Sequence, residues 1–100
     1  MWTLLIYLML IIIVYNSEIH NIKDIIDELN QRHIKYELFD NNYSKDKKKG
    51  YKVNGAFSAR LDPFIGVYEN DKPIKGFYSE VSECTLSNLI KFLDADYSNR

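Results

Sequence analysis

Cysteine is nearly absent, with Cys84 the only one in 100 residues. That excludes a disulfide framework and any cysteine-rich zinc site. Histidine is scarce as well: His20 and His33 are too few to seed a metal cluster, and no metal or other cofactor is expected. Neither sign of charge dominates, since 13 basic and 14 acidic side chains leave a formal charge of −1. A near-neutral chain lacks the cationic surface that grips a phosphate backbone, so nucleic acid is not an expected partner. Lys45, Lys47, Lys48 and Lys49 make a local basic run without interleaved aromatics, which reads as a solvated helix face. Two prolines and four glycines leave few breaks, and no repeat or low-complexity linker divides the chain. The length is that of one domain. What is abundant is Ile, Lys, Asn and Tyr, while Ala and Arg are rare. That bias is what an AT-rich genome gives, as in phages, viruses and low-GC bacteria. With 46% hydrophobic residues the chain is in the globular range and can bury one core.

The longest apolar run is Leu4 to Val14. It falls short of the roughly 20 residues that a spanning helix needs. No Lys or Arg precedes Lys23, and Tyr15-Asn16-Ser17-Glu18 offers no small-x-small cleavage pair, so a signal peptide is not indicated. The β-branched Ile11-Ile12-Ile13-Val14 reads instead as a central strand buried on both faces. We therefore expect residues 1–8 to be a hydrophobic appendage and residues 9–97 a single domain opening at Met9. Membrane association through residues 1–15 is the minority alternative to a cytoplasmic protein (host cytoplasm, if viral).

Beyond Tyr15 the pattern turns helical. Ile19, Ile22, Ile25, Ile26 and Leu29 share one stripe, which predicts a helix over 18–32 capped by Ser17 or Asn16. Residues 34–39 read as a second strand ended by Asp40-Asn41-Asn42, giving a βαβ unit. Ser44 starts a short charged helix reaching Gly50, and Gly55 marks a turn. Residues 64–69 and 74–79 form an antiparallel pair around the turn Asn70-Asp71-Lys72-Pro73. Thr85 caps a last helix with Leu86, Leu89, Ile90 and Leu93 on its buried stripe, and Cys84 packs against Leu89.

Leu61-Asp62-Pro63-Phe64-Ile65-Gly66-Val67-Tyr68, Ile74-Lys75-Gly76-Phe77 and Leu89-Ile90-Lys91-Phe92-Leu93-Asp94-Ala95 resemble, in order and spacing, the second half of the thioredoxin-fold superfamily, and within it the glutaredoxin-like branch. Ile34-Lys35-Tyr36-Glu37 stands where that branch enters its second strand. The resemblance covers residues 10–95. It implies an α/β thioredoxin-like fold: a βαβ unit, a short helix and a ββα unit, forming a four-stranded mixed sheet with helices on both faces. It also implies a cis Asp62-Pro63 bond that turns the preceding backbone outward, with Asp62 exposed near Ser17 and His20.

The departure decides the chemistry. Members of the family place a cysteine where strand one meets helix one, and there this chain has Tyr15-Asn16-Ser17-Glu18-Ile19-His20. A serine hydroxyl is not ionised near neutral pH and cannot carry out thiol–disulfide exchange. Cys84, ahead of the last helix, reads as a small buried hydrophobe far from that junction. A Ser17–His20–Asp62 triad would need an oxyanion hole and a fixed base, and the sequence supplies neither, so no catalytic residue is assigned. The family's glutathione site would leave only a remnant, Gly76, Tyr78 and Ser79, and an acid at Asp62 repels the tripeptide's carboxylates, so glutathione is not an expected ligand. Tyr36, Tyr68 and Tyr78 fall in strands and read as sheet residues rather than a stacking platform. The expectation is a redox-inactive binding or interaction module. Its binding residues would be Ser17, His20, Asp62 and Pro63, and its partner a protein or extended peptide. The alternatives are a divergent glutaredoxin-like accessory of ribonucleotide reductase or a thiol–disulfide system, and a membrane-tethered or virion structural protein.

Overall fold

The computed structural model describes residues 9–42, 56–57 and 59–97. The appendage at 1–8 and the charged helix expected from Ser44 to Gly50 lie outside the described residues. Met9–Tyr15 forms strand β1, Lys23–Gln31 helix α1, Lys35–Asp40 strand β2, Phe64–Glu69 strand β3, Lys72–Tyr78 strand β4, and Leu86–Tyr97 helix α2. A single 3₁₀ turn, Ser79–Val81, joins β4 to the approach of α2. The four strands lie in the order β2-β1-β3-β4. β1 pairs parallel to β2 and antiparallel to β3, and β3 pairs antiparallel to β4. The sheet is mixed, as the sequence implied.

β1 is continuous in hydrophobicity because it has no solvent face. Met9, Ile11 and Ile13 point into a core built with Ile25 and Leu29 of α1 and Leu89 and Leu93 of α2. Ile12 and Val14 point to the other side, where Phe64 is joined by Phe57, Ala59, Tyr68 and Tyr78. Burying an Ile or Leu side chain contributes about 1.5–3 kcal/mol, and β1 buries Met9, Ile11, Ile12, Ile13 and Val14. The second face also explains two glycines. Gly66 and Gly76 are cross-strand partners, and the Phe57 ring lies over both. A Cβ on Gly66 would sit 2.9 Å from the Phe57 ring, closer than any real side chain approaches.

The bounds of α1, β2 and β4 differ from the sequence expectation, β2 by one residue at each end. α1 begins at Lys23 rather than at residue 18, because Asn16 organises a separate turn. Its carbonyl accepts the N–H groups of both Ile19 and His20, and its side-chain oxygen accepts that of Glu18. These bonds compete with helix formation. Ile19 is consequently 73% exposed rather than part of the buried stripe, and Ser17 is not a helix cap. The α1 terminus closes with Ile34 N–H on the Leu29 carbonyl and His33 N–H on that of Asn30, with His33 at φ 57° where glycine usually stands. The hairpin loop is only Asn70-Asp71, both at positive φ, so β4 starts at Lys72 and ends before Ser79. At the last helix the expectation holds: Thr85 Oγ1 accepts the Asn88 N–H at 3.1 Å.

Among the described residues no helix is long and apolar enough to cross a membrane.

Candidate functional site

The strand register sets the site. Tyr15 is level with Asp40 across the parallel pair, and Val14 is level with Phe64 across the antiparallel one. The chain leaving β1, the chain leaving β2 and the chain entering β3 therefore meet at one end of the sheet. Crevices outside the carboxyl ends of parallel strands are where open α/β sheets bind ligands.

A polar network ties these three segments together. Asp40 is buried, with 6% of its surface exposed. Its Oδ1 accepts the Ser17 N–H at 3.1 Å and the Asn42 N–H at 3.0 Å. Burial pushes the Asp40 pKa upward, but the bonds from the Ser17 hydroxyl and the two N–H groups outweigh it and hold the carboxyl below its ordinary value. Asn42 Nδ2 donates to Ser17 Oγ at 2.9 Å, and Asn41 Nδ2 donates to Asp62 Oδ2 at 2.6 Å. The Asn41 N–H, bonded to the Tyr15 carbonyl at 2.7 Å, extends the β1–β2 ladder by one rung. Asn41 Oδ1 is buried without a partner.

The Asp62-Pro63 bond is cis. Asp62 is half-buried rather than exposed, because Asn41 holds its carboxylate. From the other side, the Ser79 hydroxyl donates to the Pro63 carbonyl. Both carboxylate oxygens of Glu80 accept backbone N–H groups of this loop, from Arg60 at 3.0 Å and Leu61 at 3.3 Å.

Ser17 and Asp62 thus belong to one network, joined through Asn42 and Asn41. His20 is bonded elsewhere: its Nδ1 accepts the Asn16 N–H at 3.1 Å. No Ser–His–Asp relay is formed, since the Ser17 hydroxyl is engaged with Asp40 and Asn42. Of the glutathione-site remnant, Gly76 lies beneath Phe57, the Tyr78 hydroxyl donates to the Phe57 carbonyl, and the Ser79 hydroxyl is held by Pro63. Cys84 lies closer to this region than the sequence suggested. Its thiol bonds with the Ser79 hydroxyl and the Ile65 backbone, one hydroxyl away from the Pro63 carbonyl. Burial pushes that thiol up to about 11, so it is protonated at neutral pH and a poor nucleophile. From sequence alone Asp40, Asn41 and Asn42 mark only a strand stop. Their signal was three consecutive polar residues at the carboxyl end of a parallel strand.

Two further concave surfaces flank β4. One, of about 450 Å³, is lined by Phe57, Ile74, Lys75, Gly76, Tyr78 and Glu83 among others. The second, of about 360 Å³, lies between β4 and α2 along Phe77, Asn88, Lys91 and Phe92. Lys72 and Pro73 and the register shift opposite Val67/Tyr68 blunt this outer strand against pairing. Among the described residues no group of His, Cys, Asp and Glu is arranged to hold a metal.

The strand order, the parallel β1–α1–β2 unit, the antiparallel β3–β4 hairpin and the closing helix define a thioredoxin-like α/β fold. The crystal structure of thioredoxin f2 from Chlamydomonas reinhardtii is similar to this chain, with a TM-score of 0.64 over 94% of this chain and 86% of that one. Sequence identity is 12%, so the likeness establishes the fold alone. No protein-family model and no curated protein matches the sequence.

Proposed function

We propose that the chain is a thioredoxin-fold binding module that holds an extended protein segment and carries out no dithiol chemistry. The observation that supports this is the polar network at the end of β1. Where a thioredoxin-like redox protein needs a thiolate, this chain has Ser17, whose hydroxyl and N–H are both bonded to Asp40. The same network secures the loop entering β3, so the two loops form one preorganised edge, which lowers the entropy cost of binding. Each loop carries an exposed apolar side chain, Ile19 at 73% and Leu61 at 55%. Such residues beside an ordered backbone suit an extended segment that pairs through its main chain and buries alternate side chains.

The test starts from a displayed library of random extended peptides selected on the full chain. Ile19→Ser or Leu61→Ser should each weaken a selected peptide roughly tenfold, the effect of losing partial burial of one aliphatic side chain. The wild type should leave insulin disulfides intact. Insulin reduction that disappears in Cys84→Ser would overturn the reading and make Cys84 the functional group.

A further inference from the structure

Arg60 and Leu61 lead directly into Asp62-Pro63, and both are exposed. Their backbone N–H groups do not face water unpaired. Glu80, itself exposed and placed on the turn after β4, spreads its carboxylate over them, Oε2 on Arg60 at 3.0 Å and Oε1 on Leu61 at 3.3 Å. Two successive N–H groups that converge on one carboxylate form a cradle for a single acceptor group, because a strand edge offers its donors only at alternate residues. A carboxylate is a stronger acceptor than a peptide carbonyl, because its bonds are charge-assisted. The loop does not depend on Glu80 for its attachment: the Ser79 hydroxyl on the Pro63 carbonyl and Asn41 on Asp62 hold it independently.

We propose that Glu80 is an internal competitor, occupying in the free protein the two backbone donors that one acceptor group of a bound partner takes. The inference rests on the reading of this loop as the binding edge. It assigns the donor pair to one ligand class, a carboxylate or peptide carbonyl oxygen. It also makes Glu80 a brake on affinity, because a partner must displace two charge-assisted bonds before making its own.

The experiment needs no partner peptide. Sodium acetate serves as the acceptor probe, with sodium chloride as the ionic-strength control, and amide resonances and hydrogen exchange are followed in the full chain. In the wild type, acetate should leave the Arg60 and Leu61 amides unmoved. In Glu80→Ala both amides should exchange roughly tenfold faster, the loss expected for a hydrogen bond to a charged group, and acetate should shift them saturably. Glu80→Gln keeps one acceptor oxygen and should fall between the two. Unchanged exchange in Glu80→Ala, or acetate shifts equal to those of the wild type or of chloride, would overturn the proposal. A saturable acetate site in Glu80→Ala with no peptide ever selected would confirm the donor pair and contradict the binding-edge reading instead.

Discussion

Replacing Asp40 by Asn keeps the shape of the side chain and removes its charge. In the native protein the carboxylate accepts the Ser17 N–H, the Asn42 N–H and the Ser17 hydroxyl while 6% exposed. An Asn carbonyl oxygen can keep two of these at neutral strength, and its NH₂ group then faces a donor. Hydrogen bonds to charged groups contribute about 1.5–3 kcal/mol and neutral ones about 1. Water reaches the exposed Ser17 and Asn42 on rearrangement, so the net cost is about 2 kcal/mol. In a domain of this size that lowers the melting temperature by roughly 10 °C. The pH dependence adds a sign. The Asp40 pKa is lowered in the fold from the ordinary value of 3.8, so its contribution is fully present above that value and disappears as pH falls through the lower folded value. Urea denaturation should therefore show a wild-type advantage that is constant from pH 5 to 8 and shrinks below about pH 4. An Asp40→Asn protein as stable as the wild type at pH 7, or a difference that persists unchanged at pH 2, would refute the role given to this carboxylate.

Other consequences follow from individual contacts. Gly66→Ala places a Cβ 2.9 Å from the Phe57 ring and should cost about 1–3 kcal/mol by urea denaturation. In a Phe57→Ala background the same substitution should cost much less, with only the Phe64 ring left at 3.2 Å from the new Cβ, and an additive double-mutant cycle would rule out the Phe57 contact. His33→Gly relieves a left-handed residue at φ 57° and should stabilise the protein by about 0.5–1 kcal/mol, whereas destabilisation would mean the His33 side chain is needed. The Cys84 thiol, pushed from 9.0 to about 11, should react with iodoacetamide at pH 8 roughly a hundredfold more slowly than a free thiol. Free-thiol reactivity would place Cys84 in a more open environment.

The strands and the last helix were legible because their signals are local. The β-branched run Ile11 to Val14 suits a strand covered on both faces, and Leu89 and Leu93 fall on one side of any helix that starts at Thr85. The beginning of α1 was not legible. Ile19 fits the helical stripe, and only the bonds that Asn16 makes to Glu18, Ile19 and His20 remove it. The fold's resemblance puts Ser17 and Asp62 at one end of the sheet, and the structure joins them through Asn42 and Asn41. Asp40, Asn41 and Asn42 were missed because their roles depend on the β1–β2 register, which sets Asp40 level with Tyr15. Phe57 over Gly66 and Gly76 is likewise a tertiary contact with no local trace.

The most direct measurement is an amide chemical-shift map of the ¹⁵N-labelled chain titrated with a selected extended peptide, repeated in Cys84→Ser. The account predicts a saturable footprint confined to residues 16–20 and 60–63, identical with and without the thiol. A footprint along the outer strand at Lys72 to Gly76, or one that vanishes with Cys84, would contradict it.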